Sequence, residues 1–118
     1  MLNVKEKGIL INIIKHCNRI EEKVAGIKYE VFSNDEDLKE IVCFNILQIG
    51  ELSKKLGKDF YNLHPEQPWS NIAGMRDVVV HGYGTIKIDR VWKTAKEDIV
   101  PLRAYCQKII DQFDRESK

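Results

Sequence analysis

Apolar residues recur along this chain in steps of three and four, the spacing that places side chains on one face of an α-helix. The first series runs from Leu10 to Val24, and Gly26 follows it at a position where glycine commonly ends a helix. This pattern predicts a first amphipathic helix. The residues on its apolar face are Leu10, Ile13, Ile14, Cys17, Ile20 and Val24.

A second apolar series follows a short acidic stretch. Ser33, with Glu36 three residues later, has the spacing of a capping box, and the acidic residues 35–37 suit the positive end of a helix. We expect a helix that continues to Gly57, with Gly50 as a point where another helix could approach closely. The residues of this series are Leu38, Ile41, Val42, Asn45, Ile49, Leu52 and Leu56.

The stretch HPEQPWSN, residues 64–71, contains two of the three prolines and is predicted to connect the second helix to a third. Pro68 suits the first turn of that third helix, and Trp69 is expected to anchor its start in the core. Gly82 and Gly84 are expected to end it. The residues predicted to face inward are Ile72, Met75, Val79 and Val80.

A fourth series begins near Asp89, a residue type that often caps helices, and alternates steps of four and three. Pro101 lies inside this series and removes one backbone hydrogen bond, so we expect a kink near Glu97–Val100. The apolar members of the series are Ile88, Trp92, Ala95, Ile99, Leu102, Cys106, Ile109 and Phe113.

Four helices with short connections favour an all-α, up-and-down four-helix bundle with a kinked last helix. No stretch alternates as a strand does, and 118 residues are the size of one domain, so residues 1–118 are interpreted as a single domain. With 43% hydrophobic and 31% charged residues, the composition is that of a soluble globular protein. No apolar run approaches the roughly 20 residues that span a bilayer, so no membrane association is expected.

Composition and charge also restrict the function. Cys17, Cys43 and Cys106 are widely separated and fall within apolar helical patterns, so they are interpreted as reduced core thiols of a cytoplasmic protein. His16 and His64 lack the spacing of metal ligands, and neither a metal nor another cofactor is predicted. The net charge of +1 is low for a protein that coats nucleic acid, so if RNA is a substrate, its contact should be confined to one cleft.

The stretch GMRDVVVHGYG, residues 74–84, combines four polar side chains able to do chemistry with an apolar centre. On a helix, Asp77 and His81 are four residues apart, share a face and can form a hydrogen bond. Arg76 and Tyr83 are seven apart and also share a face. Arg76 and His81 lie about 140° apart on a straight helix. They can serve one small site only if the helix distorts at its glycine-rich end or a second chain contributes its own pair.

These residue types suit cleavage of RNA without a metal ion. Histidine transfers protons at neutral pH, and arginine stabilises charge that develops on a phosphate. One imidazole would take the proton of a 2′-hydroxyl, Arg76 would stabilise the phosphate, and Asp77 would orient His81. Because the motif has one histidine, a symmetric dimer would supply the second as the general acid. The alternative is that the cluster only caps carbonyl groups and packs against a neighbouring helix.

Further short motifs surround this cluster in a fixed order. The stretch PWSNIAGMRDVVVHGYGTIKIDRVWKTAKEDIVPLRAY contains a Pro-Trp opening, Ile-Ala-x-Met-Arg, R-x4-H-x-Y, Ile-Asp-x-x-x-Trp and a Pro-Leu pair. Upstream, YEVFSNDEDLKE and QIGELSKKL fit the same pattern. In this order, the set resembles the HepT-like branch of the HEPN superfamily over nearly the whole chain.

The resemblance implies an α-helical, usually dimeric protein, with the motifs of two chains facing a shared cleft. It implies a metal-independent endoribonuclease that acts as the toxin of a type VII-like toxin–antitoxin pair, whose partner is an MNT-type nucleotidyltransferase antitoxin. Arg76 and His81 would be catalytic, and Tyr83 would receive AMP from the antitoxin or contact the substrate. Asp77 stands where many members have asparagine, and its negative charge beside an RNA phosphate would not help binding.

The sequence allows two interpretations of several residues. Lys87, Arg90 and Lys93 could form a rail for RNA phosphates, or simply a solvated helix face. Asn45 and Glu51 could face the cleft or lie at the edge of the second helix. Two other functions also stay open. One is a non-catalytic HEPN module that binds a nucleotide or a partner, and the other is a purely structural subunit of a helical dimer.

Overall fold

Every regular element among the described residues is helical. The computed structural model describes residues 2–67, 69, 72, 74, 76, 79 and 87–116. Its helices are α1 (Val4–Val24), α2 (Tyr29–Asn34), α3 (Glu36–Lys54), α4 (Gly57–Leu63), α5 (Ile88–Lys93) and α6 (Ile99–Glu116), and a π-helical turn, Thr94–Asp98, joins the last two. Between α4 and α5 lie five described helical residues, which we call the motif segment: Trp69, Ile72, Gly74, Arg76 and Val79. The predicted all-α bundle is confirmed.

α1 begins earlier than the apolar pattern predicts because Asn3 and Glu6 form a capping box. The Asn3 side chain accepts a hydrogen bond from the Glu6 backbone N–H at 2.7 Å, and the Glu6 carboxylate accepts one from the Asn3 backbone N–H at 3.0 Å. The predicted end of the helix is confirmed. Gly26 follows Val24 with a φ of +72°, a backbone conformation that favours glycine.

The start of α3 differs from the prediction. Asp35 is the N-cap, and its carboxylate accepts a hydrogen bond from the Leu38 backbone N–H at 3.0 Å. Ser33 lies inside the short helix α2, where its hydroxyl donates to the Glu30 carbonyl at 3.3 Å. The predicted capping box of Ser33 and Glu36 is therefore wrong, because α2 takes up the serine before α3 begins.

The last helical region is interrupted directly before Pro101. Proline cannot donate a hydrogen bond to the carbonyl four residues earlier, which belongs to Glu97, and Glu97 lies in the π-helical turn. The predicted kink near Glu97–Val100 thus falls where the structure has a π-helical turn, Thr94–Asp98, followed by α6. The predicted N-cap at Asp89 is wrong, because α5 begins at Ile88 after Lys87 and places Asp89 in its first turn.

α1 packs against both α3 and α6. Two ion pairs show that α6 runs antiparallel to α1. Lys7 Nζ lies 2.6 Å from Asp114 Oδ1 near one end, and Arg103 Nε lies 2.5 Å from Glu21 Oε2 nearer the other. The fully buried apolar residues come from most of these elements and include Leu10, Ile13, Ile20, Phe32, Val42, Ile46, Ile49, Phe60, Ile99 and Leu102.

The three cysteines are buried and unpaired, as predicted. Burial raises the pKa of the Cys17, Cys43 and Cys106 thiols, because the protein interior disfavours the charged thiolate. The thiols are therefore part of the core. Predictions for the third helix that fall on Pro68, Met75, Val80, Gly82 and Gly84 lie outside the described residues.

Candidate active site

Arg76 lies at the border between the core and the solvent. It follows Ile72 by four residues and precedes Val79 by three, so the three residues share one face of the motif segment. Ile72 and Val79 are buried, whereas the Arg76 side chain is 34% exposed. Its Nε atom forms an ion pair with Oε1 of Glu51 on α3. The packing of the segment thus directs the first predicted catalytic residue toward α3.

Glu51 joins α3 to the candidate site. Its side chain is 44% exposed, but Oε1, the atom paired with Arg76, is buried. Of the two interpretations that the sequence allows for Glu51, the structure favours the one that faces the candidate site. A carboxylate matches the geometry of a guanidinium group, so this pair fixes the direction of the Arg76 side chain. It also offsets part of the positive charge at this position.

The start of the motif segment is anchored by Trp69, as predicted. Trp69 is 3% exposed, and its Nε1 donates a hydrogen bond to the His64 carbonyl at 2.9 Å. Its ring stacks on Tyr61 with 5.8 Å between ring centroids, and it packs edge-on against Phe60 and Tyr105. These contacts tie the segment to α4 and α6, and so set the position of the residues that follow.

Two hydrogen bonds extend this aromatic cluster. The Tyr61 hydroxyl donates to the Ser53 carbonyl, and the Tyr105 hydroxyl donates to Glu66 Oε2 at 2.5 Å. Burial and the Glu66 carboxylate raise the pKa of Tyr105, while the same hydrogen bond lowers the pKa of Glu66. Burial lowers the pKa of His64, because the protein interior disfavours the charged imidazolium. The cluster supports the motif segment through packing and these bonds.

The structure describes some of the other predicted site residues and not others. Asp77, His81 and Tyr83 lie outside the described residues, and their roles stay predictions. Lys87 and Arg90 are exposed, Lys87 directly before α5 and Arg90 within it. This placement fits both a phosphate rail and a solvated face.

In the described part of the chain, no three His, Cys, Asp or Glu side chains are grouped so as to hold a metal ion. None of the helices described above is both long and apolar enough to cross a membrane.

Comparisons with known proteins define the class to which this helical fold and its Arg-bearing motif belong. Residues 13–109 match the model of a family described as ribonuclease HepT-like. The chain therefore belongs to the ribonuclease HepT-like family. The resemblance to the HepT-like branch of the HEPN superfamily is confirmed.

Individual relatives cover most of the chain. The probable ribonuclease HepT of Thermococcus cleftensis is 38% identical over 103 residues, which cover 87% of this chain and 94% of the relative. A protein of Caldanaerobacter subterraneus named as a proposed RNase is 33% identical over 87% of this chain and 92% of its own length. A protein of Methanocaldococcus jannaschii, also named as a proposed RNase, is 32% identical over 92% of this chain and 89% of its own length. No solved structure matches significantly. At the level of the family, the predicted ribonuclease is confirmed.

Proposed function

We propose that this protein is a metal-independent endoribonuclease that acts as a homodimer, with Arg76 and His81 as its catalytic residues. The observation that carries the proposal is the placement of Arg76, which is directed by Glu51 and lies in a segment anchored by Trp69. Donors held in place before the reaction are a main source of catalysis, because they need no reorganisation as charge develops. Membership of a ribonuclease family supports RNA as the substrate.

The proposed reaction uses the 2′-hydroxyl of the RNA as the nucleophile. A neutral His81 imidazole accepts the hydroxyl proton while the 2′-oxygen forms a bond to the adjacent phosphorus. The bond between phosphorus and the 5′-oxygen breaks, and a protonated imidazole gives that oxygen its proton. The products are one RNA with a 2′,3′-cyclic phosphate and another with a 5′-hydroxyl. Because each motif has one histidine, the second imidazole would come from the other chain of a symmetric dimer.

Arg76 can serve Glu51 and a phosphate at the same time. A guanidinium group has five N–H donors in a planar fork. In this proposal Nε stays with Glu51, and the terminal nitrogens turn to the non-bridging phosphate oxygens, whose negative charge grows as the 2′-oxygen attacks. Asp77 would orient the His81 imidazole and favour its charged form.

Lys87 and Arg90 would contact the RNA backbone beside this site. Both are exposed and follow the motif directly, at the start of α5. Each phosphate contact to a single strand adds about 0.7 to the dependence of log K on log salt. Replacing both residues by alanine should therefore reduce that slope. An unchanged slope would assign them to a solvated helix face.

An MNT-type nucleotidyltransferase would act as the antitoxin of a type VII-like pair. In this proposal the Tyr83 hydroxyl oxygen forms a bond to the α-phosphorus of ATP, pyrophosphate leaves, and the attached AMP blocks the site. The test is the intact mass of the protein after incubation with the partner and ATP, which should rise by one AMP. An unshifted mass, or a shift that survives Tyr83→Phe, would contradict this modification.

The activity itself is tested with an end-labelled structured RNA in excess EDTA. We expect the wild type to cleave, and His81→Ala to be at least about 100-fold slower, because general acid–base catalysis contributes about 10²–10⁴ in rate. If neither protein cleaves and Tyr83 carries no added mass, the chain is instead a non-catalytic module that uses Arg76 to bind a nucleotide or a partner.

Mixed dimers test the two-chain arrangement. One chain carries His81→Ala and the other is intact. Two imidazoles that act together predict the loss of most activity in the mixed dimer. Half of the wild-type activity per dimer would show that each chain works alone.

A further inference from the structure

A groove of about 720 Å³ lies between α1 and α3. Its volume is within the range of sites that bind small ligands. α1 contributes the basic residues Lys15 and Arg19, and α3 contributes the acidic residues Asp37 and Glu40. Phe44 of α3 supplies an aromatic ring to the same groove. The groove thus offers cationic, anionic and aromatic groups within one concave surface.

Phe44 is unusually exposed for its position. The residue is 55% exposed, although its sequence neighbours Cys43 and Asn45 are buried. A single exposed aromatic residue on a convex surface needs no explanation. In a groove beside basic side chains, however, the ring presents a flat face on which an unpaired nucleic-acid base can stack.

His16 is held in one orientation in the same groove. The Asn45 amide nitrogen donates to the Ile41 carbonyl at 2.7 Å, so the amide oxygen is the acceptor for other groups. That oxygen lies 2.8 Å from His16 Nδ1, which must therefore carry the proton. With Nδ1 engaged by Asn45, Nε2 is the ring nitrogen left to contact a hydroxyl or amino group of a ligand.

The mixture of charges in the groove fits a nucleotide better than the surface of another protein. The core of a protein–protein interface is depleted in lysine, glutamate and aspartate, whereas this groove contains four charged side chains. A nucleotide has an anionic phosphate for Lys15 and Arg19 and an aromatic base for Phe44. Carboxylates such as Asp37 and Glu40 can accept hydrogen bonds from exocyclic amino groups, as they do with cytosine.

The groove and the candidate active site lie along the same side of α3. Residues 37, 41, 44, 48 and 51 fall within about 80° of one another at 100° per residue, so they form one stripe on α3. Glu51 follows Phe44 by seven residues, which is about 10 Å along the helix axis. Glu51 is the partner of Arg76. A single RNA strand cut at Arg76 would therefore have a flanking nucleotide within reach of the groove.

We propose that this groove binds one unpaired nucleotide of the RNA, next to the site of cleavage. The base stacks on Phe44, its phosphate lies against Lys15 and Arg19, and its amino edge faces Asp37 and Glu40. This proposal rests on the proposed function, because it gives the groove to the same RNA. It also predicts that cytosine, adenine or guanine is preferred to uracil, which has no exocyclic amino group.

Phe44→Ala tests the stacking contact. The probe is a short fluorescein-labelled 2′-O-methyl RNA, which the protein cannot cleave because the 2′-oxygen is blocked, and the measurement is fluorescence anisotropy. We expect binding at least about fivefold weaker than wild type, as the loss of one base–aromatic stack predicts. Leu63→Ala, which removes another exposed apolar side chain, is the matched control and should bind as wild type. Equal binding by Phe44→Ala and wild type would overturn the proposal.

Two charge reversals test the phosphate contacts. Lys15→Glu with Arg19→Glu should lower the salt slope of log K by about 1.4, since two contacts are lost. Lys108→Glu with Arg115→Glu makes the same change in net charge on the exposed side of α6 and should leave the slope unchanged. Equal slopes for the two double variants would overturn the assignment of Lys15 and Arg19.

Base preference gives a third readout. Oligo-C should bind more tightly than oligo-U, and Asp37→Asn with Glu40→Gln should reduce the difference, since an amide is a weaker acceptor than a carboxylate. Equal binding of the two oligomers by the wild type would overturn the predicted role of the carboxylates.

The outcomes separate this proposal from the proposed function. If the wild type binds RNA through Phe44 but cleaves none, the groove is a nucleotide site and the ribonuclease proposal fails. If it cleaves RNA while Phe44→Ala binds as wild type, the ribonuclease stands and the groove proposal fails. Sedimentation of the variants provides a further check. A change from dimer to monomer on Phe44→Ala would show that the groove binds a second copy of the chain, which also overturns the proposal.

Discussion

Arg76 and Glu51 form an ion pair that joins the motif segment to α3. Because both side chains are about one third or more exposed to solvent, such a pair contributes no more than about 1 kcal/mol to stability. Its main effect is to orient the Arg76 side chain, because it holds the guanidinium group of this proposed catalytic residue in place. This distinction predicts separate effects on stability and on the rate of RNA cleavage.

Glu51→Gln should leave the fold nearly unchanged and still slow the enzyme. We expect the free energy of unfolding to change by less than about 1 kcal/mol. The value of kcat should fall about tenfold or more, because Arg76 loses its charged partner and its fixed direction. KM should not rise, since the change removes a negative charge near the RNA phosphate. Steady-state kinetics and urea unfolding measure these quantities.

Glu22→Gln, an exposed glutamate of α1, is the matched control for the loss of one carboxylate. It should leave kcat unchanged. Wild-type kcat in Glu51→Gln would show that the ion pair does not position Arg76.

Trp69→Phe tests the anchor of the motif segment. Phenylalanine keeps an aromatic ring but loses the indole N–H that donates to His64, so we expect a loss of about 1–3 kcal/mol in the free energy of unfolding. The rate of RNA cleavage should fall as well, because the segment that carries Arg76 starts at this residue. Trp92→Phe in α5 controls for replacement of an indole elsewhere. Wild-type stability and rate in Trp69→Phe would contradict the anchoring role.

The N-terminus of α3 allows a direct comparison of two candidate caps. Asp35→Ala should cost about 0.5–2 kcal/mol of stability, because the Leu38 N–H loses its acceptor. Ser33→Ala should change stability by no more than about 0.5 kcal/mol, since its hydroxyl makes a local bond within α2. Chemical denaturation measures both variants. A larger loss of stability in Ser33→Ala than in Asp35→Ala would instead support the capping box that the sequence pattern predicts.

The buried thiols should make the protein less stable in alkali. Burial raises the pKa of Cys17 above its ordinary value of 9.0, so the unfolded chain loses this proton at a lower pH than the folded protein. The stabilising contribution is complete below pH 9.0 and is lost progressively above it, by about 1.4 kcal/mol per pH unit for one thiol.

Urea unfolding between about pH 7 and about pH 10 measures this slope, before the raised pKa values of Tyr61 and Tyr105 take effect. Cys17→Ala should make the slope shallower. A free energy of unfolding that stays constant across this range in the wild type would contradict the burial of the thiols.

The long helices are predictable from the sequence because their apolar spacing is local. The ends of the helices are harder to predict, because they depend on contacts with residues that are distant in the sequence. α2 shows this clearly. Phe32 is buried with its ring 5.0 Å from that of Trp92, sixty residues further along the chain. The spacing of apolar residues along the sequence does not reveal that contact, so the pattern assigns Ser33 to the wrong helix.

The candidate site shows the same division. The motif itself singles out Arg76, whereas its partner Glu51 lies 25 residues earlier on another helix. The sequence shows that Glu51 is polar and near an apolar face, but only the packing of α3 against the motif segment brings the two side chains together. The hydrogen bond between His16 and Asn45 likewise depends on how α1 packs against α3.

The chemical ends of the cleaved RNA test the central claim most directly. A structured RNA is incubated with the wild type in excess EDTA, and the products are analysed by mass spectrometry beside those from His81→Ala. Attack by the 2′-oxygen predicts a 2′,3′-cyclic phosphate on one product and a 5′-hydroxyl on the other, with both products greatly reduced in the variant. Products with a 3′-hydroxyl and a 5′-phosphate, or equal cleavage by the variant, would contradict catalysis by His81 and Arg76.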